Sequence, residues 1–175
     1  MPAATNLLTL EQYREQYAGE AGWEYWLGEA VRKPVPNTLH GILQFVLMMI
    51  LDAAGYYTGS EIELRIDPNW EPRPDVIADT QPLEQPYPTK PIEIAIEILS
   101  DDKMGQLFKK CRHYVRIGIS QIFVFDPEAR DAWEWSRETD NTERIQVLRL
   151  WNGSSIQVSD VWAEMDRRTA KRPIP

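Results

Sequence analysis

Asp75, Glu97 and Lys110 are the residues of this 175-residue chain whose types and settings point to chemistry. Asp75 follows Pro74 at the head of the short apolar run DVIAD. Glu97 stands late in PIEIAIEILS, residues 91–100, and Lys110 lies on the amphipathic segment that follows. Burying a carboxylate is costly unless a cation, a metal or strong hydrogen-bond donors meet it. Hard divalent ions prefer carboxylate and water oxygens. Hydrolysis of a phosphodiester needs a cation to neutralise the transferring phosphoryl group and an activated water in line with the leaving oxygen. If the strands of Asp75 and Glu97 pair, the two acids supply two ligands for one ion. Lys110, about three turns along the next helix, supplies an ammonium group for the phosphate or the water. The same residues also fit a plainer arrangement: a buried Glu97–Lys110 ion pair, with Asp75 in a turn.

The elements that must position them are legible as periodicity. In PIEIAIEILS, period two puts Ile92, Ile94, Ile96 and Ile98 on one face and Glu93, Ala95, Glu97 and Leu99 on the other, the pattern of a central strand. Met104, Leu107, Phe108, Cys111 and Val115 form a helical stripe closed by Gly118, with Ser100 or Asp101 as its cap. QIFVF at 121–125 is the next strand. Strand, helix, strand in that order predicts a crossover and a mixed sheet. Upstream, apolar residues at 39, 42, 43, 46, 47, 50, 51 and 54 mark a helix from Asn37 or Thr38 to Gly55. His40 falls in its first turn, either as an ordinary helix-end residue or near a phosphate or bound water. Residues 23–33 read as a two-stranded ribbon turning at Gly28, on which Glu24 is a surface carboxylate or something more. Thr9 and Gln12 form a capping box for a first short helix. Tyr56–Pro68, Trp133–Trp135 and Arg144–Leu150 read as further strands, and residues 166–175 as a frayed basic tail.

Composition bounds the rest. A chain of this length with 43% hydrophobic residues holds one substantial core, so a single domain over residues 1–175 with short flexible ends is expected. The formal charge of −8, from 27 acidic and 19 basic side chains, argues against non-specific grip on duplex DNA by bulk charge, though not against a local basic groove. Cys111 alone permits no internal disulfide and belongs to the core. A cytoplasmic protein is expected, with no secretory leader and no membrane span. There is no dinucleotide or phosphate-loop motif, no CxxC and no HExxH.

Taken together and in order, WEYWLGE at 23–29, His40, PRPDVIAD at 72–79, IEILS at 96–100, KCRHYVRIGISQIFVFDP at 110–127 and the Trp133–Trp135 strand resemble a known family. It is the putative restriction endonuclease family abundant in cyanobacteria, formerly a domain of unknown function, within the PD-(D/E)XK nuclease-like superfamily. The resemblance spans about Glu24 to Trp162. It implies an α/β restriction-endonuclease-like fold, a mixed central β-sheet flanked by helices. It also implies magnesium, or manganese in its place, held by Asp75 and Glu97. Lys110 matches the family's helical lysine, Glu24 its early acidic position and His40 its early histidine. Leu99 occupies the position where the superfamily usually carries lysine, so Lys110 would replace that lysine from the helix. Gln106 stands where the family commonly has an acid.

The function implied is magnesium-dependent DNA endonuclease activity, with Asp75, Glu97, Lys110 and Glu24 catalytic and with a two-fold homodimer for cutting both strands. The alternative is a weakly active or inactive module on the same fold that binds nucleic acid or protein. RNA in place of DNA has no sequence feature against it.

Overall fold

The computed structural model describes residues 7–17, 20–100 and 104–170. In chain order the elements are α1 (Leu10–Tyr17), β1 (Trp23–Trp26), β2 (Glu29–Arg32), α2 (Thr38–Ala53), β3 (Tyr57–Gly59), β4 (Trp70–Glu71), β5 (Val76–Asp79) and β6 (Ile94–Ile98). They continue with α3 (Met104–Arg116), β7 (Gln121–Asp126), β8 (Asp131–Ser136), β9 (Asn141–Arg144), β10 (Val147–Arg149), β11 (Ser155–Gln157) and α4 (Val158–Thr169).

Six strands form the main sheet in the order β3-β5-β6-β7-β8-β9. Only β6 and β7 run parallel; the other pairs are antiparallel. A parallel pair needs a long crossover, and α3 supplies it. β6 is buried along its whole length because helices cover both faces of the sheet. On one face, Ile94, Ile96 and Ile98 meet Leu43, Val46 and Leu47 of α2 and Val161, Trp162 and Met165 of α4. On the other, Ile77, Ala95 and Val124 meet Leu107, Cys111 and Tyr114 of α3. The mixed sheet expected from the strand–helix–strand pattern is therefore present, and helices flank it as the family resemblance implies. Two small sheets complete the fold, β2-β1-β4 and β10-β11.

Local signals hold in detail where the chain contacts itself nearby. Thr9 and Gln12 exchange reciprocal capping bonds at 2.9 and 3.1 Å. Asn37 caps α2 by accepting from His40 N at 2.9 Å, and Gly55 follows the helix in the left-handed region at φ 94°. The cap proposed at Asp101 lies outside the described residues, as do residues 1–6 and 171–175 at the chain ends.

Four expectations fail. The central strand is shorter than residues 91–100, spanning Ile94–Ile98. Residues 60–66 form no strand: Glu61 N and Leu64 N donate to the carbonyls of Pro74 and Pro72, and neither proline has an N–H to return, so no ladder closes. Residues 144–150 divide between β9 and β10, which belong to different sheets. Residues 166–169 continue a helix, α4, rather than opening a frayed tail. Val158, Val161, Trp162 and Met165 follow helical spacing and are buried, and Asp166 is held by Arg130. Trp135 belongs to the core: it is buried and packs edge-on against Phe108 at 5.3 Å.

Candidate active site

Pro72 and Pro74 hold the approach to β5 extended, and Asp75 emerges where the ladder begins. Its side chain reaches across to the end of the neighbouring strand, where Oδ2 accepts the N–H of Ile98 at 2.7 Å. The acid thereby ties the start of β5 to the residue after Glu97. Its carbonyl accepts from the Gln44 side chain at 2.7 Å, which anchors it to α2. Oδ1 accepts from Lys33 Nζ at 2.9 Å, and His40 Nε2 stands 3.5 Å from the same oxygen.

Glu97 faces α3. Lys110 and Tyr114, one helical turn apart, both meet its carboxylate: Lys110 Nζ lies 2.8 Å from Oε1, and the Tyr114 hydroxyl donates to that oxygen. The Lys110 ammonium also lies 3.0 Å from Glu24 Oε1. Glu24 is not a surface carboxylate; it is 1% exposed. The ribbon gains β4 as a third strand, and Glu24 turns inward to accept from Arg73 N at 2.7 Å and Trp26 Nε1 at 2.9 Å. His40 is buried as well. The five residues singled out in the sequence, Glu24, His40, Asp75, Glu97 and Lys110, line one cleft of about 440 Å³. The Glu97–Lys110 ion pair exists as the plainer arrangement required, but Asp75 is at the same cleft rather than in a detached turn.

Two further residues of the cleft were not singled out by sequence. Lys33, just past β2, donates to Glu61 Oε2 at 2.8 Å, to the Arg73 carbonyl at 2.7 Å and to Asp75 Oδ1. Glu61, read as an alternating strand residue, instead adopts a left-handed backbone at φ 55°. It brings a carboxylate oxygen into a group with Asp75 and His40 whose ligand atoms all lie within 4.8 Å of one another. Glu97 stands outside that group. Nothing in spacing links residues 33, 61 and 75; the only sequence signal was charge beside proline-restricted turns.

The sequence model of the Uma2 family, described as putative restriction endonuclease, matches residues 10–167. This chain belongs to the Uma2 family. Among solved structures, it is similar to the crystal structure of a putative nuclease belonging to DUF820 from Anabaena variabilis ATCC 29413. The two share 18% identity and a TM-score of 0.71, with 90% of this chain and 99% of that one covered. That likeness gives the fold, the restriction-endonuclease-like α/β architecture. No curated protein matches. No helix among the described residues is long and apolar enough to cross a membrane.

Electrostatics distinguish the two acids of this Uma2 chain. Burial is the largest single influence on Asp75 and opposes its ionisation, but the Lys33 ammonium, the nearby His40 ring and the Lys110 ammonium together outweigh it and hold the carboxyl well below the usual carboxylate range. Burial dominates at Glu97 and pushes it up to about 7, against the pull of Lys110. Tyr114 is raised well above its ordinary value by burial and by Glu97, so it remains a proton donor to that carboxylate. Lys33 and Lys110 stay charged: burial works against both ammonium groups, and the surrounding carboxylates more than offset it. Four carboxylates, Glu24, Glu61, Asp75 and Glu97, thus face two ammonium groups. The guanidinium groups of Arg32 and Arg73 line the same cleft, so a divalent cation would compete with resident cations for these acids.

The donor set fits such an ion. Asp75 and Glu61 offer hard oxygens, and both ring nitrogens of buried His40 have no hydrogen-bond partner among the described residues. A buried imidazole without partners is costly; a bond to a transition-metal ion would satisfy it, whereas magnesium would rest on the Asp75 and Glu61 oxygens. The Glu61 side chain is 40% exposed, which leaves the group open to the cleft.

Proposed function

We propose that this protein is a magnesium-dependent endonuclease that hydrolyses DNA phosphodiester bonds, with manganese able to replace magnesium. The observation that carries it is the convergence of Asp75, Glu61 and His40 within 4.8 Å at a cleft that also holds a charged lysine, Lys110. Membership in the Uma2 family and the fold shared with a protein described as a putative nuclease support it. A divalent cation bound there would supply charge neutralisation at the scissile phosphate and a water acidified toward hydroxide.

The chain's own residues do the remaining work. Asp75, ionised and held by the Ile98 N–H and Gln44, is a fixed anionic ligand. His40 orients toward the same oxygen. Glu97, poised near neutrality, accepts a proton from the attacking water. Lys110 is steadied by Glu24 and Glu97 at 3.0 and 2.8 Å and stabilises the phosphate; it takes the part of the lysine that Leu99 replaces. Glu24 acts through Lys110 and the Arg73 backbone. Cutting both strands requires two such clefts, so the active unit we infer is a two-fold dimer.

Calorimetric titration with manganese, followed by cleavage assays on duplex DNA, single-stranded DNA and RNA, tests the proposal. One ion should bind wild type and not Asp75→Ala, and only DNA should be cut. One observation favours the second reading, a module that binds without cutting: both oxygens of Glu97 are already met by Lys110 and Tyr114. If metal binds and no polymer is cleaved, that module stands.

A further inference from the structure

Lys33 has no place in the chemistry above, yet it sits where a cation is needed. Its ammonium contacts Glu61 Oε2, Asp75 Oδ1 and the Arg73 carbonyl at 2.8, 2.9 and 2.7 Å. Three oxygens, two of them anionic, form the kind of shell that a hard divalent ion also takes. Two of these donors, Asp75 and Glu61, belong to the group that converges with His40. A divalent ion on those carboxylates and the Lys33 ammonium would therefore claim the same charge, and two like cations cannot share it at contact distance without strong repulsion.

We propose that Lys33 is a resident counter-ion that keeps Asp75 and Glu61 together and is displaced by the divalent cation, its freed ammonium moving into the cleft.

The inference rests on the metal-binding reading and adds a competitor to it. The two lysines of the cleft differ in how they are mounted. Lys110 projects from the middle of a thirteen-residue helix and is clamped between Glu24 and Glu97. Lys33 lies beyond the end of β2, and the segment that follows, Pro34-Val35-Pro36, is exposed and lines the cleft. Its four-carbon stem can swing without moving a strand, and a lysine is a point charge bound by no fork geometry. The cleft wall also includes apolar Val31 and Trp26, surface against which a lysine stem can lie. Displacement puts a positive charge beside the place where a phosphate would lie.

The test is manganese affinity of wild type, Lys33→Met and Asp75→Asn by calorimetry, with reductive methylation of Lys33 in wild type followed by mass spectrometry. Lys33→Met keeps the stem and removes the competitor. It should bind manganese about tenfold tighter or better and melt at a lower temperature without metal. In wild type, saturating manganese should speed methylation of Lys33 about tenfold and leave Lys110 protected. Equal or weaker manganese affinity in Lys33→Met overturns the proposal while leaving the metal site standing, provided that Asp75→Asn abolishes binding. Manganese binding that survives Asp75→Asn overturns the site itself and the proposal with it, as does failure of both wild type and Lys33→Met to bind. Should Lys33→Met not fold, methylation decides: no change in Lys33 reactivity in manganese-saturated wild type overturns the proposal.

Discussion

The molecule buries carboxylates in two neighbouring places and treats them differently. Behind the small sheet, Glu63 and Glu71 are 4% and 1% exposed. Guanidinium groups meet both: Arg65 and Arg73 reach Glu63 at 2.8 and 3.0 Å, and Arg14 pairs with Glu71. At the cleft, the ammonium groups that meet Asp75, Glu61, Glu97 and Glu24 belong to lysines, Lys33 and Lys110. Arginine's planar fork matches a carboxylate and stays put, whereas lysine's point charge can be exchanged. The cleft also holds a histidine without hydrogen-bond partners among the described residues and an acid poised near 7. Buried acids alone do not mark a site. An acidic group with exchangeable partners and unfilled donor capacity, open to a cleft, does.

Substitutions can break this contrast. The largest effect is expected from Asp75→Asn, which should lower DNA cleavage by about 10²–10³-fold while the fold, checked by circular dichroism, persists. Activity within a few fold of wild type would show that the cleft is no more reactive than the arginine cluster. Next is the pH dependence set by Glu97. Its folded-state value of about 7 lies above the ordinary 4.5, so the folded chain binds a proton that the unfolded chain releases across that window. The stability so contributed is full below about pH 4.5 and is lost as pH rises through 7. Between pH 5 and 8, wild type should lose up to about 3 kcal/mol relative to Glu97→Gln. Urea melts at several pH values measure it, and parallel curves for the two proteins would disprove it. Asp75 does not interfere in this window, because its depressed value moves its contribution to acid pH, where stability falls as the carboxyl is protonated.

The arginine cluster should respond in stability alone. Glu71→Ala leaves Arg14 without its buried partner. Arg14 is 39% exposed and regains water, so the cost should be about 2 kcal/mol rather than the full penalty of a stranded buried charge. Manganese affinity should not change, and a weakened affinity would join the two clusters into one functional unit. The smallest effect belongs to Thr9→Ala. Loss of the exposed capping box should cost about 0.5–1 kcal/mol, with cleavage unaltered.

Much of this was written along the chain. The Ile repeat at 94–98, the α2 stripe, the Thr9–Gln12 and Asn37 caps and the α3 crossover are local patterns, and short-range geometry enforces them. Asp75, Glu97 and Lys110 stood out because a carboxylate in an apolar run demands a partner, and Lys110 proved to be the partner of Glu97. The α4 stripe was equally present at 158, 161, 162 and 165, but its short apolar runs also fit strands, and only packing on α2 and the sheet selected the helix.

Tertiary structure alone decided the company Asp75 keeps. Lys33, His40 and Glu61 come from a strand end, a helix start and an irregular turn, and no periodicity relates them. Their convergence follows from how two prolines deny the 60–66 segment a ladder and from where α2 crosses β5. A sequence can announce that a charge will be buried, because burial follows the local hydrophobic pattern. Which charge answers it depends on long-range closure, and that is settled only when the sheets and helices meet.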